Sequence, residues 1–389
     1  MIAKFLVLAG AAPAALIVQP AQAQDLPASP VVDATTQDTD NTRDDIVVLG
    51  FGQSRQVQTV SATDMERLTP GTSPLKAIAK LPGVNFQSAD AFGAYEWSTR
   101  ISLRGFNQNQ LGFTLDGVPL GDMSYGNVNG LHISRAIISE NLASTTVAQG
   151  AGAISTASTS NLGGTLQFVS RRPSDTFDVV GSGTYGSDQT YRGFIRLDTG
   201  DLGDGLKGYI SYGFLQTDKW KGYGNQRQHQ ANAKIVKDLR GVGSITAFLN
   251  FSDRRETDYQ DLSYDIIRRR GLNNDNIGDN YPLALQIAKI YANQNAASVA
   301  ARPYPSAGVT FPAGIGTVDD VYFDAGGLRR DWLGGVTFDA TLTPELSVTS
   351  TSYYHKNKGQ GSWITPYVGT PAGARDGNGD RKSTRLNSS

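Results

Sequence analysis

The side chains that most often carry out chemistry in proteins are few in this sequence, and their spacing assembles no reaction centre. The 389 residues include three histidines, His132, His229 and His355, and no cysteine. The histidines are far apart, and no thiol is available as a nucleophile or zinc ligand. No Gly-x-Ser-x-Gly, phosphate-loop or zinc signature occurs. The pattern predicts no catalytic residue, no metal site and no cofactor, and therefore a protein that is not an enzyme.

One segment resembles the start of a calcium-binding loop. Asp376, Asn378 and Asp380 alternate within the sequence DGNGD, which is the spacing of the first oxygen ligands in such a loop. The carboxylate that would complete the ligand set is missing, because the sequence continues as KSTRLNSS. A glycine-rich turn at residues 376–380 is the favoured interpretation, and calcium binding is the alternative.

Two loops carry side chains that suit a ligand held without covalent chemistry. They span residues 88–99 and 122–132 and are rich in aromatic and amide groups. Such groups contact sugars and chelates through ring faces and hydrogen bonds. Ordinary packing within the domain is the alternative for each residue. The predicted substrate contacts are Phe92, Tyr95, Trp97, Tyr125 and Asn127.

The overall composition narrows the class of protein. The formal net charge is -1, which gives no reason to expect nucleic acid as a partner. The absence of cysteine fits a protein exported to an oxidising compartment. A mean hydropathy of -0.31 argues against a polytopic helical membrane protein. A β-barrel is compatible with that value, because only alternate residues of its strands are apolar.

The first fifty residues read as an export signal and a tether. Residues 1–23 combine Lys4, an apolar run and an Ala-Gln-Ala cleavage site, which predicts a signal peptide. Residues 24–44 are polar and poor in large apolar side chains, so a disordered tether is expected. Residues 45–50 then form a short β-prone island, DIVVLG. By pattern alone, it is either a strand offered to a partner's sheet edge or the first strand of the following domain.

Residues 51–173 are predicted to form a compact, glycine-punctuated β-rich domain. Ser73 followed by Pro74 marks a helix start. Ile101 and Leu103 alternate with polar residues, as in a half-buried strand. Asp116-Gly117 is a strong hairpin signal, and further strands are expected at residues 145–148 and 165–169.

From residue 174 to residue 380 the pattern changes to long alternating strands. Tyr191, Ile195 and Leu197 share one face, whereas Arg192 and Arg196 share the other. Apolar groups outside and charges inside are the pattern of a membrane barrel wall; a soluble β-sandwich is the alternative. Alternating segments recur at residues 177–186, 191–200, 206–214, 226–238, 245–251, 332–338 and 346–355.

The connections between these segments alternate in length. Short turns, DLGDG, LRGVG and LTPE, follow the second, fourth and sixth segments. A very long connection is predicted from Ser252 to about Leu328. Outer-membrane barrels show this asymmetry, with tight periplasmic turns and long outer loops.

With these parts in order, the chain resembles the TonB-dependent receptors of Gram-negative outer membranes. LPGVNF, ISLRGF, LDGVPLGD and NLGGTLQFVSRRP resemble the motifs of their plug domain, and DDIVVLG resembles their TonB box. The resemblance implies a mainly β fold, in which a small α+β plug at residues 51–173 precedes an antiparallel transmembrane barrel. It also favours the coupling role for the β-prone island, so the implied TonB-interacting residues are Asp45, Ile46, Val47, Val48 and Leu49.

The function implied by the resemblance is uptake of a scarce, bulky nutrient such as a siderophore, cobalamin or an oligosaccharide. Its implied partners are the TonB–ExbB–ExbD energy-coupling complex, the nutrient and outer-membrane lipid, and its implied location is the outer membrane, with plug and TonB box facing the periplasm. A passive pore with a permanent constriction is the alternative.

The sequence departs from the family pattern in two places. Residues 149–164 are rich in serine and threonine, where many members carry Arg-Gly-Pro and Tyr-Gly. A plugged lumen goes with about 22 strands, whereas this sequence supplies about seven. The interpretation is a C-terminally truncated fragment, in which residues 381–389 are a non-native tail.

Overall fold

The computed structural model describes residues 57–121, 130–149, 156–158, 160–278 and 280–364. No helix in these ranges is both long and apolar enough to cross a membrane. Several predictions fall outside the described residues: the signal peptide (1–23), the tether (24–44), the TonB box (45–50), Tyr125, Asn127, the 376–380 loop and the tail (381–389).

The described residues of the N-terminal region form eight strands and three short α-helices. In chain order they are β1 (Val57–Ser61), α1 (Ala62–Glu66), α2 (Pro74–Ala77), β2 (Val84–Gln87), β3 (Arg100–Leu103), β4 (Phe106–Asn107), β5 (Gly112–Leu115), β6 (Val118–Pro119), α3 (Ile133–Ala136), β7 (Leu142–Gln149) and β8 (Gly164–Ser170).

These elements form a small α+β domain around one apolar core. Five strands are ordered β1-β7-β8-β5-β6, and β2, β3 and β4 form a second, three-stranded sheet. Leu75, Leu103, Phe113, Leu166 and Phe168 are almost completely buried in the core cluster. Burying such side chains stabilises a fold by about 1.5–3 kcal/mol each. The sequence prediction of a β-rich domain is confirmed.

Local signals in the sequence account for two of its elements. The Ser73 hydroxyl accepts a hydrogen bond from the Leu75 N–H, and Pro74 is the first residue of α2. Asp116 and Gly117 connect β5 to β6 with φ of 49° and 77°, as a tight type I′ hairpin requires.

Gly164 shows why the Gly-Gly pair of the sequence is needed where β7 meets β8. Its φ is +129°, and a Cβ atom built there would lie 2.2 Å from the carbonyl oxygen of Ala148. Only glycine permits that approach of the two strands. The predicted strands at residues 145–148 and 165–169 are confirmed as the antiparallel pair β7 and β8.

A second, larger sheet follows, together with two further helices. Its strands are β9 (Phe177–Gly186), β10 (Thr190–Thr199), β11 (Leu206–Asp218), β12 (Asn225–Asp238), β13 (Gly243–Thr257), β14 (Asp324–Thr343) and β15 (Leu346–Ile364). The helices α4 (Tyr264–Arg270) and α5 (Tyr281–Gln294) lie between β13 and β14.

The seven strands form an antiparallel meander in chain order, with β9 and β15 as its edges. Large apolar side chains such as Ile210, Leu249 and Val336 are exposed on one face. Charged side chains such as Arg196 and Lys234 are buried on the other. The predicted alternation and the strand count are confirmed, and the sheet is an unclosed barrel wall.

The long connection differs from its prediction. Strand β13 continues to Thr257 and β14 begins at Asp324, so the connection is shorter at both ends than residues 252–328. Residues 252–257 have polar side chains on both faces of the strand. A search for alternating apolar residues therefore does not detect a strand there. The connection contains α4, α5 and a small apolar cluster around Ile287, Val318 and Val321.

Candidate functional site

Polar groups join the small domain to the charged face of the sheet, and α3 is the centre of that contact. The Ser134 carbonyl accepts hydrogen bonds from Gln228 Nε2 at 2.8 Å and Gln230 Nε2 at 3.1 Å. The Ser134 hydroxyl accepts one from Arg254 Nη1 at 2.9 Å. Strands β12 and β13 therefore hold the first turn of α3 directly.

Arg135, the next residue of α3, is the centre of a buried ion network. Its Nε lies 2.7 Å from Glu96 Oε2, and its Nη1 lies 2.5 Å from Asp331 Oδ2 on β14. The other Asp331 oxygen accepts hydrogen bonds from His355 Nε2 at 2.9 Å and Asn357 Nδ2 at 2.7 Å. The network, defined here as Glu96, Arg135, Asp331, His355 and Asn357, joins the 88–99 loop to β14 and β15.

The protonation of the groups around α3 follows from burial and from these charges. Burial raises the pKa of Glu96, but the charges of Arg135 and its other basic neighbours, together with the Arg135 hydrogen bond, outweigh burial and hold that pKa well below its usual range. Burial lowers the pKa of His132 to about 4, so this imidazole is neutral at pH 7. Its Nδ1 accepts from the Ser134 N–H at 3.2 Å. His132 thereby caps α3 without adding a charge.

A second set of polar contacts joins the residues just before β7 to the sheet. Asn141 Nδ2 donates to Ser211 Oγ at 2.7 Å and to Asn232 Oδ1 at 2.8 Å. Both guanidinium nitrogens of Arg192 reach the Glu140 carboxylate. Hydrogen bonds and ion pairs thus attach the domain to the wall, beside Phe248 and Leu333 of the sheet, which belong to the domain's apolar core cluster.

Asp90 fixes the conformation of the 88–99 loop. Its carboxylate accepts hydrogen bonds from the backbone N–H groups of Phe92, Ala94 and Tyr95 at 2.9–3.1 Å. The Phe92 carbonyl in turn accepts from the Ser73 N–H at 2.8 Å. The loop is therefore held in one shape before it meets the wall.

Tyr95 joins this loop to the beginning of the long connection. Its hydroxyl donates to Asp258 Oδ1 at 2.9 Å and accepts from the Tyr259 N–H at 3.3 Å. Lys219 Nζ donates to the Asp258 carbonyl at 2.6 Å and pairs with Asp275 Oδ2 at 2.5 Å. We call Tyr95, Lys219, Asp258, Tyr259 and Asp275 the Tyr95 junction.

The junction is largely dehydrated, and the pKa values of its groups reflect this. Burial raises the pKa of Asp258 to about 6, against the opposing effects of the Tyr95 hydroxyl and Lys219. Burial and the Asp258 charge raise the pKa of Tyr95, so its phenol keeps its proton. Burial lowers the pKa of Lys219, although Asp275 opposes that shift.

Three of the five predicted substrate contacts lie among the described residues. They share one loop, but they differ in how deeply they are buried. Phe92 and Tyr95 are 5% and 2% exposed. Trp97 is half-buried, with the Arg329 guanidinium 5.4 Å from its ring centre. Tyr125 and Asn127 lie outside the described residues.

Sequence reasoning missed Arg135, Asp331 and Asp258, which make the contacts described above. Asp331 lies on the buried face of β14. Its position in the alternation of that strand was the one feature of the sequence that could have identified it as an inward-facing residue. Nothing in the local sequence distinguished Arg135 from a solvated charge, because its partners are remote in the chain.

The comparisons with known proteins agree with this architecture. Residues 30–165 match the family model described as the TonB-dependent Receptor Plug Domain. No curated protein matches the sequence.

Solved structures match the plug and the sheet together. The siderophore receptor PiuA from Acinetobacter baumannii is 15% identical with a TM-score of 0.51, and the match covers 79% of this chain and 37% of that one. The unliganded ferric citrate transporter FecA is 14% identical with a TM-score of 0.54, covering 79% and 40%. The outer-membrane receptor FpvA from Pseudomonas aeruginosa PAO1, bound to pyoverdine, is 14% identical with a TM-score of 0.52, covering 82% and 39%.

At these identities the solved structures show a shared fold, and this chain spans about two fifths of the length of each. The domain match and the fold likeness lead to the same architecture. The chain therefore carries the plug domain of the TonB-dependent receptors, followed by seven strands of an unclosed barrel wall of the same fold.

Proposed function

We propose that this chain is the plug and part of the wall of an outer-membrane receptor that takes up a scarce, bulky nutrient with energy from the TonB–ExbB–ExbD complex. One observation carries the proposal: the plug is attached to the charged face of a sheet whose opposite face is apolar. An apolar outer face suits lipid, and a filled inner face suits a blocked lumen.

The lengths of the connections support an orientation in the membrane. Short turns occupy one end of the sheet, and residues 258–323 connect strands at the other. In bacterial barrels, short turns face the periplasm and long loops face outwards. The 88–99 loop and the Tyr95 junction would then face the exterior, and the predicted TonB box, Asp45 to Leu49, would act from the periplasm.

The contact between plug and wall suits a plug that is displaced during transport. Ion pairs such as Arg135–Asp331 and Arg192–Glu140 supply part of this contact, beside the apolar contacts of Phe248 and Leu333 with the plug core. A buried ion pair adds little net stability relative to apolar packing, and water can take over its hydrogen bonds when the groups separate. When the energy-coupling partner pulls on the plug, water can therefore replace the polar contacts that are broken.

The proposed nutrients are those of the sequence interpretation. A ferric chelate is the first to test, because the similar structures are a siderophore receptor, a ferric citrate transporter and a pyoverdine receptor. Trp97 keeps part of its side chain accessible for contact. Tyr95 and Phe92 are proposed to respond to the ligand through the Tyr95 junction. Tyr125 and Asn127 remain proposed contacts.

The test separates binding from uptake. Deleting Asp45 to Leu49 should abolish energised uptake of a labelled ferric chelate and leave its binding to intact cells unchanged. A deletion of equal length within the tether, residues 34–38, is the matched control and should preserve both. Uptake that survives the first deletion would refute the proposal, and a large steady conductance of the intact protein in planar bilayers would favour a passive pore.

A further inference from the structure

One carboxylate of the wall is bonded both to the plug and to the neighbouring strand. Asp331 Oδ2 pairs with Arg135 Nη1 of the plug at 2.5 Å. Asp331 Oδ1 accepts hydrogen bonds from two residues of β15, His355 Nε2 at 2.9 Å and Asn357 Nδ2 at 2.7 Å. A displaced plug takes Arg135 with it, whereas His355 and Asn357 stay beside Asp331. Of the two, His355 is the side chain that can acquire a positive charge.

The hydrogen bond to Asp331 fixes which nitrogen of His355 is free to take up a proton. A carboxylate only accepts hydrogen bonds, so Nε2 of the neutral imidazole carries the hydrogen and Nδ1 is the basic nitrogen. The His355 side chain is 30% exposed, so protons from water reach it. While Arg135 occupies Asp331, its positive charge opposes a second cation on the same carboxylate. Without Arg135, the unbalanced Asp331 carboxylate favours the imidazolium.

The other titratable groups that the plug brings to this network do not cancel the effect. Glu96 leaves together with Arg135, but its contact at 2.7 Å is with Arg135 Nε and not with Asp331. Arg135 is therefore the plug charge nearer to Asp331 and its hydrogen-bond partners. Burial lowers the pKa of His132, which caps α3, to about 4, so it adds no charge at pH 7.

The wall charges around His355 stay in place whether or not the plug does. Those on the inner face, besides Asp331, belong to Arg254, Glu256 and Arg329. Two lysines alternate with His355 along β15 and therefore lie on the opposite face, Lys356 and Lys358. These charges act on His355 in both states of the plug. Arg135 is the charge that links the proton affinity of His355 to the position of the plug.

We propose that His355 takes over from Arg135 as the cation of Asp331: it binds a proton from water when the plug leaves and releases that proton when Arg135 returns. The released state then binds one proton more tightly than the attached state, so plug release is favoured as the pH falls. The inference rests on the plug displacement of the proposed function, but its test requires neither nutrient nor TonB.

A buried cysteine reports plug release in the receptor purified from outer membranes. Thr145→Cys places a thiol on β7, where the side chain is fully buried, and its labelling rate with a maleimide is measured from pH 8 to pH 5. Into this parent, His355→Gln introduces a side chain that can still donate to Asp331 but cannot take up the proton. His229→Gln is the matched control, because His229 contacts Tyr212 on the opposite face of the sheet. Dividing the parent rate by the variant rate at each pH cancels the titration of the thiol and of Asp258.

The ratio of the parent rate to the His355→Gln rate should rise roughly tenfold from pH 8 to pH 5, because a neighbouring charge typically changes a proton affinity by that factor or more. The ratio for His229→Gln should stay constant. Asp331→Asn keeps His355 but removes the carboxylate that holds its proton, so the ratio of the parent rate to the Asp331→Asn rate should rise in the same way.

A His355→Gln ratio that is constant, that rises towards alkaline pH, or that the His229→Gln ratio matches would overturn the inference. If His355→Gln does not reach the outer membrane, a constant Asp331→Asn ratio overturns it instead. A failure of nutrient uptake with this pH dependence intact would count against the proposed function alone.

Discussion

Replacing Arg135 tests whether the buried ion network holds the plug in place. Arg135→Met removes the guanidinium and leaves the Glu96 and Asp331 carboxylates facing each other without their shared cation. Removing one partner of a buried ion pair costs about 3–5 kcal/mol, because the remaining charge stays dehydrated and uncompensated. We expect a loss of that size in the free energy of plug unfolding.

The absence of cysteine makes the assay direct. Thr145 is fully buried on β7, and its hydroxyl has no hydrogen-bond partner in the described part of the chain. Thr145→Cys therefore supplies a single thiol that a maleimide reaches only when the plug opens. With a slope of about 2 kcal/mol per molar urea, Arg135→Met should lower the urea midpoint of labelling by roughly 2 M.

Two further variants decide the interpretation. Arg240→Met breaks an ion pair with Asp204 whose side chains are 73% and 71% exposed, and an exposed pair contributes about 0–1 kcal/mol. Its midpoint should scarcely move. Adding Glu96→Gln and Asp331→Asn to Arg135→Met should restore most of the loss. A midpoint for Arg135→Met that matches the Arg240→Met midpoint would refute the reasoning.

Two other predictions concern the Tyr95 junction and the backbone at Gly164. The pKa of Asp258 is about 6 in the folded protein, above its ordinary value of 3.8, so the folded state binds this proton more tightly than the unfolded state. Stability should therefore fall by roughly 3 kcal/mol as pH rises from about 4 to 7, and Asp258→Asn should remove that part of the pH dependence of the urea midpoint; an unchanged slope contradicts the assignment. Gly164→Ala should cost more than 3 kcal/mol in thermal or urea unfolding, since its Cβ would clash with the Ala148 carbonyl. Gly105→Ala, also at positive φ but with nothing within 4 Å, should lose only about 1 kcal/mol.

The similar structures share the fold of plug and wall at only 14–15% sequence identity. Strand alternation and connection lengths can specify such a fold without particular contacts. The contacts between plug and wall, by contrast, depend on individual side chains such as Arg135 and Lys234.

The sequence by itself determined the features that depend on neighbouring residues. Strand alternation has a period of two, so the apolar and charged faces of β10 could be assigned from Tyr191 to Leu197 alone. The Asp116-Gly117 hairpin and the Ser73 cap depend on the conformations of a few consecutive residues. The same logic failed at residues 252–257, where both faces are polar and the local pattern contains no strand signal.

The tertiary structure decided what each inward side chain does, because those contacts join residues far apart in the chain. Arg135 and Asp331 are 196 residues apart, and Tyr95 and Asp258 are 163 apart. No local pattern encodes such pairs. Tyr95, predicted from its type as a ligand contact, lies buried, and its hydroxyl donates a hydrogen bond to Asp258 at the start of the long connection. Sequence periodicity sets the face on which a side chain lies, and the packing of plug against wall sets its partner.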